Sequence, residues 1–290
     1  MAGLPLIRNH GVGRAFAYLG NRPAGADEFL RDVVQLAASL PDRRHIVNQC
    51  SDRYKFAVGF AAALLRRQIS LLPPNLTPDM IEQLKRRYPD VYCLADAAME
   101  PSALETVAYA QPSGAAVTAH SVPLVPATQV AAILFTSGST GQPMPHQKSW
   151  GALVGSALAE VDGLGLNDRR GMVLVGTVPP QHMYGLESSV LMAMQGGLAL
   201  YSGRPFFPAD ICAELEALPR PRGLVTTPVH LRVLLEAMAE LPPVDFLLCA
   251  TAPLSPQLAA EAEARFAAPL HEIYGCTEAG QVATRRTVAT

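Results

Sequence analysis

One run of six residues contains nothing but threonine, serine and glycine: Thr136, Ser137, Gly138, Ser139, Thr140 and Gly141. It follows an apolar stretch, residues 130–135, that is typical of a buried strand. Glycine lets the backbone turn so that successive N–H groups point at one anion, and the hydroxyls add further donors. The run therefore predicts a polyphosphate-binding loop, with an ordinary polar turn as the structural alternative.

Two other kinds of loop are excluded by spacing. The GxxxxGK[ST] pattern of a Walker loop is absent. A serine-hydrolase elbow, GxSxG, needs a glycine two residues before the serine, and Ser137 stands there before Ser139.

A second polar segment, residues 274–280, reads YGCTEAG and follows a predicted strand that ends at Tyr274. Glu278 supplies a hard oxygen ligand and Thr277 a hydroxyl, which suits a phosphate that carries Mg²⁺. The structural alternative is that Glu278 only caps a following helix. Cys276 lies between them without a nearby base, so we interpret it as a packing residue.

A third segment, residues 177–185, reads TVPPQHMYG after a predicted strand over residues 172–175. His182 taken alone would more often be a packed histidine. Because the segment leaves the end of a strand, where ligands bind in open α/β sheets, we expect the ring of His182 to face the ligand.

The elements that must position these segments alternate along the chain. Residues 45–50 predict a strand, 54–67 a helix, 69–72 a strand and 91–94 another strand. Residues 96–128 interrupt the pattern, which then resumes. The alternation predicts an α/β fold of two parallel-sheet subdomains packed together with helices between them, divided into residues 1–128 and residues 129–290.

Composition excludes several classes of protein. Of 290 residues, 49% are hydrophobic and 17% charged, which is not the composition of a disordered chain. Lys and Arg total 23 against 25 Asp and Glu, a net charge of −2, so no nucleic-acid or anionic-membrane surface is expected. The five cysteines include no CxxC pair. Without a signal-peptide pattern or a transmembrane stretch, the sequence predicts a soluble, cytoplasmic protein.

Together the three segments resemble the N-terminal domain of the AMP-forming adenylating superfamily, which includes acyl-CoA synthetases, aryl-acid ligases, adenylation domains and luciferase. Residues 136–141 match its phosphate loop, and His182 matches the histidine that lines its acyl pocket. Ala250, Thr251 and Ala252 resemble its Gly-Ala-Pro-Leu segment, which touches adenine and the acyl group. Tyr274, Gly275, Thr277 and Glu278 match its Tyr-Gly-x-Thr-Glu motif.

The resemblance implies a two-step reaction with ATP and Mg²⁺. A small carboxylic acid, aryl or acyl, forms acyl-AMP, and a thiol of CoA or of a carrier-protein phosphopantetheine then displaces AMP. Thr277 would bond the α-phosphate, Glu278 would hold Mg²⁺, and His182 would orient the acid. An acyl carrier protein is then an expected partner.

The chain departs from the family pattern in two ways. The phosphate loop ordinarily continues Pro-Lys-Gly, whereas Met144 follows Pro143 here, with His146 and Lys148 as other sources of charge. Loss of such a stabiliser typically costs about 10²–10³ in rate, so we expect weak ATP binding and slow adenylation. The continuation of this loop resembles ligases of aryl-polyene and xanthomonadin-type pigment pathways.

The second departure is that no Thr-Gly-Asp motif occurs. The resemblance therefore implies an N-terminal part without the mobile C-terminal domain, weakly active or inactive alone. The alternative function is a non-catalytic module that binds nucleotide or acyl groups and keeps the fold.

Overall fold

The computed structural model describes residues 3–11, 13–97, 104–110, 121–137 and 143–289. Within these residues the chain forms sixteen strands, β1 to β16 in order: Gly3–Pro5, Ala15–Leu19, Arg22–Gly25, His45–Asn48, Ile69–Leu72, Tyr92–Ala95, Thr106–Ala108, Leu124–Pro126, Val130–Ser137, Pro143–Ser149, Val173–Gly176, Ala199–Tyr201, Arg222–Thr226, Phe246–Cys249, Leu270–Cys276 and Gly280–Arg286.

The same residues contain nine α-helical segments, α1 to α9 in order: Ala26–Ser39, Arg53–Leu65, Pro78–Arg87, Trp150–Gly163, Met183–Gly185, Met192–Gly196, Pro208–Ala217, Pro228–Ala237 and Pro256–Phe266. A π-helical segment, Leu186–Leu191, joins α5 to α6, and a 3₁₀ turn spans Thr287–Ala289. No helix of the described residues is both long and apolar enough to cross a bilayer.

Most strands belong to two large sheets. The six-stranded sheet has the order β10-β9-β5-β4-β6-β7, and only its β10–β9 pair is antiparallel. The eight-stranded sheet has the order β16-β15-β14-β13-β11-β12-β2-β3, with antiparallel pairs only at its two edges. Two mainly parallel sheets with intervening helices are what the sequence pattern predicts.

A layer of helices fills the space between the two sheets. One buried cluster joins Phe16 and Leu200 of the eight-stranded sheet to Ile46 and Leu134 of the six-stranded sheet through side chains of α1, α2, α4 and α6. Helix α2 is apolar on almost every side because both faces are covered. On the outer surfaces, α3 packs on the six-stranded sheet and α7, α8 and α9 pack on the eight-stranded sheet.

The sheets do not divide the chain at residue 128. Strands β2 and β3 lie in the eight-stranded sheet, although they come early in the sequence. Strands β9 and β10 come after residue 128 and complete the six-stranded sheet. The division into two domains at residue 128 stays a prediction.

Side-chain caps set the helix starts near the predicted motifs. The Ser149 hydroxyl accepts from the Ala152 amide and begins α4 directly after β10. Ser255 caps α9 in the same way by accepting from Leu258, and each of these caps occupies an orphan amide of a first turn. Helix α4 is thereby fixed against the strand that follows the predicted phosphate loop.

Candidate functional site

The predicted phosphate loop lies at the end of an antiparallel hairpin. Strand β9 runs to Ser137, two residues further than expected, and β10 returns from Pro143, a strand that the sequence pattern did not predict. Met144 pairs with Thr136 across the hairpin, and the Oγ1 atom of Thr136 lies 3.1 Å from the Nε2 atom of His146. The rest of the loop falls outside the described residues: Gly138, Ser139, Thr140 and Gly141.

The second predicted segment, residues 274–280 with Glu278, also lies in a hairpin. Strand β15 continues through Gly275 to Cys276, and Thr277 and Glu278 are in the turn that leads to β16. The structural alternative, in which Glu278 only caps a following helix, is wrong, because a strand follows. Gly280 begins that strand with φ +81°, in the left-handed region that glycine tolerates best.

The cysteines differ in their exposure. Four are buried: Cys50, Cys93, Cys212 and Cys249. Cys276 is exposed, so its assignment to packing is wrong, and its side chain hydrogen-bonds the Glu278 carboxylate. A hydrogen bond from the backbone of Glu278 itself, followed by the one from Cys276, lowers the pKa of the Glu278 carboxyl, which keeps it ionised at neutral pH.

The two hairpins meet at Glu278. The Nε2 atom of His146 lies 3.6 Å from its Oε1 atom, and the Lys148 ammonium donates to its backbone oxygen over 2.6 Å. Lys148 is only 7% exposed. The strand that leaves the predicted phosphate loop therefore contacts the turn that carries the predicted metal ligand, so the six-stranded and eight-stranded sheets join here.

A cavity of about 310 Å³ opens beside this junction. Because the carboxyl ends of β11, β14 and β15 lie at one edge of the sheet, residues that follow these strands gather there. Five predicted site residues line the cavity: His182, Ala250, Thr251, Gly275 and Thr277. Among the described site residues, Thr136, Ala252, Tyr274 and Glu278 are not part of its lining. Tyr274 is 74% exposed.

His182 faces the cavity from the segment that follows β11. Burial lowers the pKa of its imidazole, and the charge of Arg204 lowers it further, so the ring is neutral at neutral pH. Gly176 and Val178, at the start of this segment, accept hydrogen bonds of 2.8 and 2.9 Å from the fully buried guanidinium of Arg53. Arg53 thereby holds the segment of His182 from helix α2, in the central layer.

Thr251 has an unusual backbone. Its φ is +83°, a conformation that costs free energy in a β-branched residue and that clusters at functional sites. It follows β14 next to Ala250, and both residues line the cavity. The strain accordingly lies at the strand exit for which the family resemblance implies contact with the nucleotide and the acyl group.

Several polar residues at the cavity were missed by sequence reasoning. Glu187 and Ser188 belong to the π-helical segment, and Gln281 belongs to β16. Burial raises the pKa of Glu187, while a hydrogen bond from Ser156 and the charge of Lys148 partly oppose this. The signal in the sequence is a carboxylate and two hydroxyls, ESS, inside an apolar run, which is unusual for a helix that packs in a core.

Glu160 lies fully buried on α4, close to Glu187 and Ser188. Burial raises the pKa of its carboxyl to about 8; the nearby Ser188 side chain opposes the shift and the charge of Glu187 adds to it. Two acidic side chains thus lie in the helical layer, Glu187 in the lining of the cavity and Glu160 outside that lining.

In the described part of the chain no group of three or more His, Cys, Asp or Glu side chains could hold a metal ion. Mg²⁺ does not need such a group, because it commonly binds one or two carboxylates together with substrate phosphates and water. The ionised, half-exposed Glu278 carboxylate, with the Thr277 hydroxyl next to it, fits this mode of binding.

Comparison with known proteins identifies the family. Residues 33–289 match the family described as AMP-binding enzyme. The chain belongs to this family. A 4-coumarate–CoA ligase of Rhodobacter capsulatus is 30% identical over 155 residues, which are 53% of this chain and 39% of that protein. The 4-coumarate–CoA ligase 1 of Solanum tuberosum is 32% identical over 162 residues, 53% of this chain and 29% of that protein.

Solved structures show the same fold. The o-succinylbenzoate CoA synthetase MenE of Bacillus subtilis, in complex with the acyl-adenylate intermediate OSB-AMP, superimposes with a TM-score of 0.74 at 20% identity, over 94% of this chain and 58% of that one. The apo structure of MatB from Rhodopseudomonas palustris gives 0.75 at 19% identity, over 92% and 57%. The predicted fold class, that of an adenylating-enzyme N-terminal domain, is confirmed, and the pigment-pathway subtype stays a prediction.

Proposed function

We propose that this AMP-binding family member activates a small aryl or acyl carboxylic acid with ATP and passes the acyl group to a thiol. The acid's carboxylate oxygen bonds to the α-phosphorus of ATP, and pyrophosphate leaves. The thiol then loses its proton to solvent, its sulfur bonds to the acyl carbon, and AMP leaves with the electrons of the broken C–O bond. The chain spans well under two thirds of the relatives that it matches, so the activity of the whole protein belongs to this proposal.

The observation that carries the proposal is the contact between the two hairpins. Thr136, His146 and Glu278 connect the end of the predicted phosphate loop to the acidic turn, and Thr277 connects that turn to the cavity. A triphosphate on one side and an acid in the cavity on the other would then be neighbours. Because both reactants are anionic, positioning and neutralisation of charge are the main contributions that the protein can make.

The proposed roles follow from this placement. Thr136, Ser137 and residues 138–141 hold the leaving phosphates, Thr277 bonds the α-phosphate, and Glu278 holds Mg²⁺, which would supply neutralising charge. Neutral His182 orients the acid without forming an ion pair with its carboxylate. Ala250, Thr251, Ala252, Tyr274 and Gly275 form the surface for adenine and the first atoms of the acyl group.

CoA is the acceptor that the relatives favour, since both 4-coumarate ligases and MenE are named for it. A phosphopantetheine on a carrier protein presents the same thiol and is the alternative acceptor. We place the reaction in the cytoplasm, where ATP and CoA are available.

Calorimetric titration of the chain with Mg-ATP tests the nucleotide site. We expect Glu278→Ala to weaken binding at least tenfold, whereas the matched control Glu236→Ala, an exposed glutamate on α8, binds like the unaltered chain. Equal binding by Glu278→Ala and the control would show that Glu278 does not contribute to Mg-ATP binding.

Pyrophosphate exchange with a panel of aryl and acyl acids tests the chemistry. Slow, acid-dependent exchange is the expected result, because Met144 replaces the usual loop lysine. Nucleotide binding without exchange by any acid would instead favour a non-catalytic binding module, the alternative that Met144 in the loop suggests.

A further inference from the structure

A second cavity, of about 470 Å³, lies where strands β4, β5 and β9 of the six-stranded sheet begin. Helix α2, of 13 residues, starts at the segment of His182 and ends at this cavity, so one helix length, roughly 20 Å, separates the two places. We call it the arginine cavity, because four arginines line it: Arg43, Arg44, Arg66 and Arg67.

The lining of the arginine cavity carries more positive than negative charge. Two aspartates, Asp42 and Asp90, lie among the four arginines, which leaves a net charge of +2. The whole chain has a net charge of −2, so its composition does not reveal this local excess. A concave surface with charge of one sign raises the local concentration of ions of the opposite sign. The arginine cavity therefore attracts anions.

Two of the guanidinium groups have no acidic partner in the described part of the chain. Arg43 and Arg66 form ion pairs with exposed carboxylates. The side chains of Arg44 and Arg67 are exposed and form neither an ion pair nor a hydrogen bond with any described residue. Arg67 follows helix α2, where an arginine side chain often donates to the last carbonyl groups, and it does not do so here. Both guanidinium groups are thus available to a ligand.

The backbone that carries these two arginines is held in place. The Arg44 amide donates to the Asp90 carboxylate over 2.6 Å, and the Arg44 carbonyl accepts from the Ile69 amide over 2.7 Å. The Arg67 amide donates to Leu64 over 3.0 Å, and φ of Arg67 is +57°, a left-handed conformation that costs free energy in any residue with a Cβ. A ligand would therefore meet two unpaired guanidinium groups on backbone that does not have to rearrange, which favours binding.

Guanidinium groups suit phosphate, because each planar fork can form two parallel hydrogen bonds with one phosphate group. We propose that the arginine cavity binds an anion with two or more phosphate groups, one at Arg44 and one at Arg67, and that Arg43 and Arg66 add to the attraction. The site is separate from the proposed active site and does not depend on the proposed reaction. A soluble polyphosphate and the headgroups of an anionic lipid both offer this chemistry.

Calorimetric titration of the chain with sodium tripolyphosphate, in the absence of Mg²⁺, tests the site. Replacing both unpaired arginines, Arg44→Gln with Arg67→Gln, should weaken binding at least tenfold, a loss typical of hydrogen bonds to a charged group. Arg44→Lys with Arg67→Lys keeps the charge without the planar fork and should weaken binding less. The matched control is Arg169→Gln with Arg170→Gln, an exposed arginine pair that precedes β11 of the eight-stranded sheet, and it should bind like the unaltered chain.

Two further comparisons define the ligand and the place. Citrate has a similar charge carried by carboxylates, and we expect it to bind at least tenfold more weakly than tripolyphosphate. Glu278→Ala, in the proposed nucleotide site, should leave tripolyphosphate binding unchanged.

Sedimentation with vesicles distinguishes the two sources of phosphate. If the chain sediments with vesicles of phosphatidylcholine and phosphatidic acid but not with phosphatidylcholine alone, and the Arg44→Gln, Arg67→Gln variant does not, lipid headgroups are the ligand. Tripolyphosphate binding without sedimentation would assign a soluble anion instead.

The inference is overturned if the chain binds neither probe, or if binding survives the loss of both Arg44 and Arg67. An equal loss of binding in the Arg169→Gln, Arg170→Gln control, or citrate binding as tight as that of tripolyphosphate, would overturn it as well, because attraction by charge alone would then explain the result. Each of these outcomes leaves the proposed function standing.

Discussion

The Nε2 atom of His146 lies 3.6 Å from the Oε1 atom of Glu278, and this contact joins strand β10 of the six-stranded sheet to the turn between β15 and β16 of the eight-stranded sheet. His146 also contacts the Thr136 hydroxyl, so one imidazole touches both ends of the proposed phosphate site. Residues 146 and 148 bring their side chains to the acidic turn, whereas Met144, two residues earlier, is 54% exposed.

A lysine at position 144 should strengthen the site. Met144 pairs with Thr136 at the end of the hairpin, where an ammonium group would be close to a bound triphosphate. We expect Met144→Lys to raise the rate of pyrophosphate exchange by about tenfold or more, within the range typical of one stabilising cation or donor. Met144→Gln, which is polar but neutral, is the control, and an equal rate in both variants would contradict a role for charge.

Lys148 should matter for nucleotide affinity although it is buried. Its ammonium fixes the backbone of Glu278, so Lys148→Met should let the turn move and weaken Mg-ATP binding about tenfold, a loss typical of one charged hydrogen bond. Lys148→Arg should retain part of the affinity. Calorimetry measures the effect, and Lys85→Met, at an exposed lysine of α3, is the control. Unchanged affinity in Lys148→Met would show that the turn holds its shape unaided.

The buried carboxyl of Glu160 should make stability depend on pH. Its pKa in the folded chain is about 8, above its ordinary value of 4.5, so the folded chain binds more protons than the unfolded chain between these values. The free energy of unfolding should therefore fall as the pH rises from about 5 to about 8, at up to about 1.4 kcal/mol per pH unit. Burial raises the pKa of Glu187 as well, which adds a dependence of the same sign.

Glu160→Gln should flatten this dependence and stabilise the chain by about 1 kcal/mol or more at pH 8, because no charge then has to be buried. Urea unfolding at several pH values measures it, with Glu236→Gln at the surface as the control. If the free energy of unfolding depends on pH equally in Glu160→Gln and the unaltered chain, another group is responsible for the dependence.

Two glycine substitutions should have opposite effects. Gly280→Ala places a Cβ 2.8 Å from Glu187 at φ +81°, so we expect a loss of about 1–2 kcal/mol from the backbone alone. Gly155 is exposed within α4, and a Cβ added there would have no atom within 4 Å, so Gly155→Ala should stabilise the chain by about 0.5–1 kcal/mol. Chemical denaturation compares the two, and a Gly280→Ala variant as stable as the unaltered chain would contradict the tight fit at Glu187.

The sequence predicts the secondary-structure elements and the motifs better than it predicts which strands pair with one another. Strand Ile69–Leu72 has the predicted bounds, since a short apolar run marks it locally. Strands β10 and β16 were not predicted: β10 reads PMPHQKS, which has no apolar alternation, and forms only because β9 offers an edge.

The chemistry of the site shows the same limit. Thr277 and His182 could be placed at strand ends, because the order of strands and helices determines which ends share an edge. Arg53, Lys148 and Glu187 could not be placed, since residue type alone does not distinguish a buried charge from a solvated one. Their burial depends on contacts between residues more than 30 positions apart, such as that of Arg53 with Ser189.

The interleaving of the two sheets determines how this chain can be recombined with its relatives. A hybrid joined at residue 128 would take β2 from one parent and its neighbour β12 from the other, and would split the β5–β9 pair as well. In both cases two paired, buried parallel strands would come from different parents, and mismatched side chains are poorly tolerated there. Gene shuffling should succeed more often with an exchange of residues 26–149 as one block, which leaves every pair of the eight-stranded sheet within a single parent.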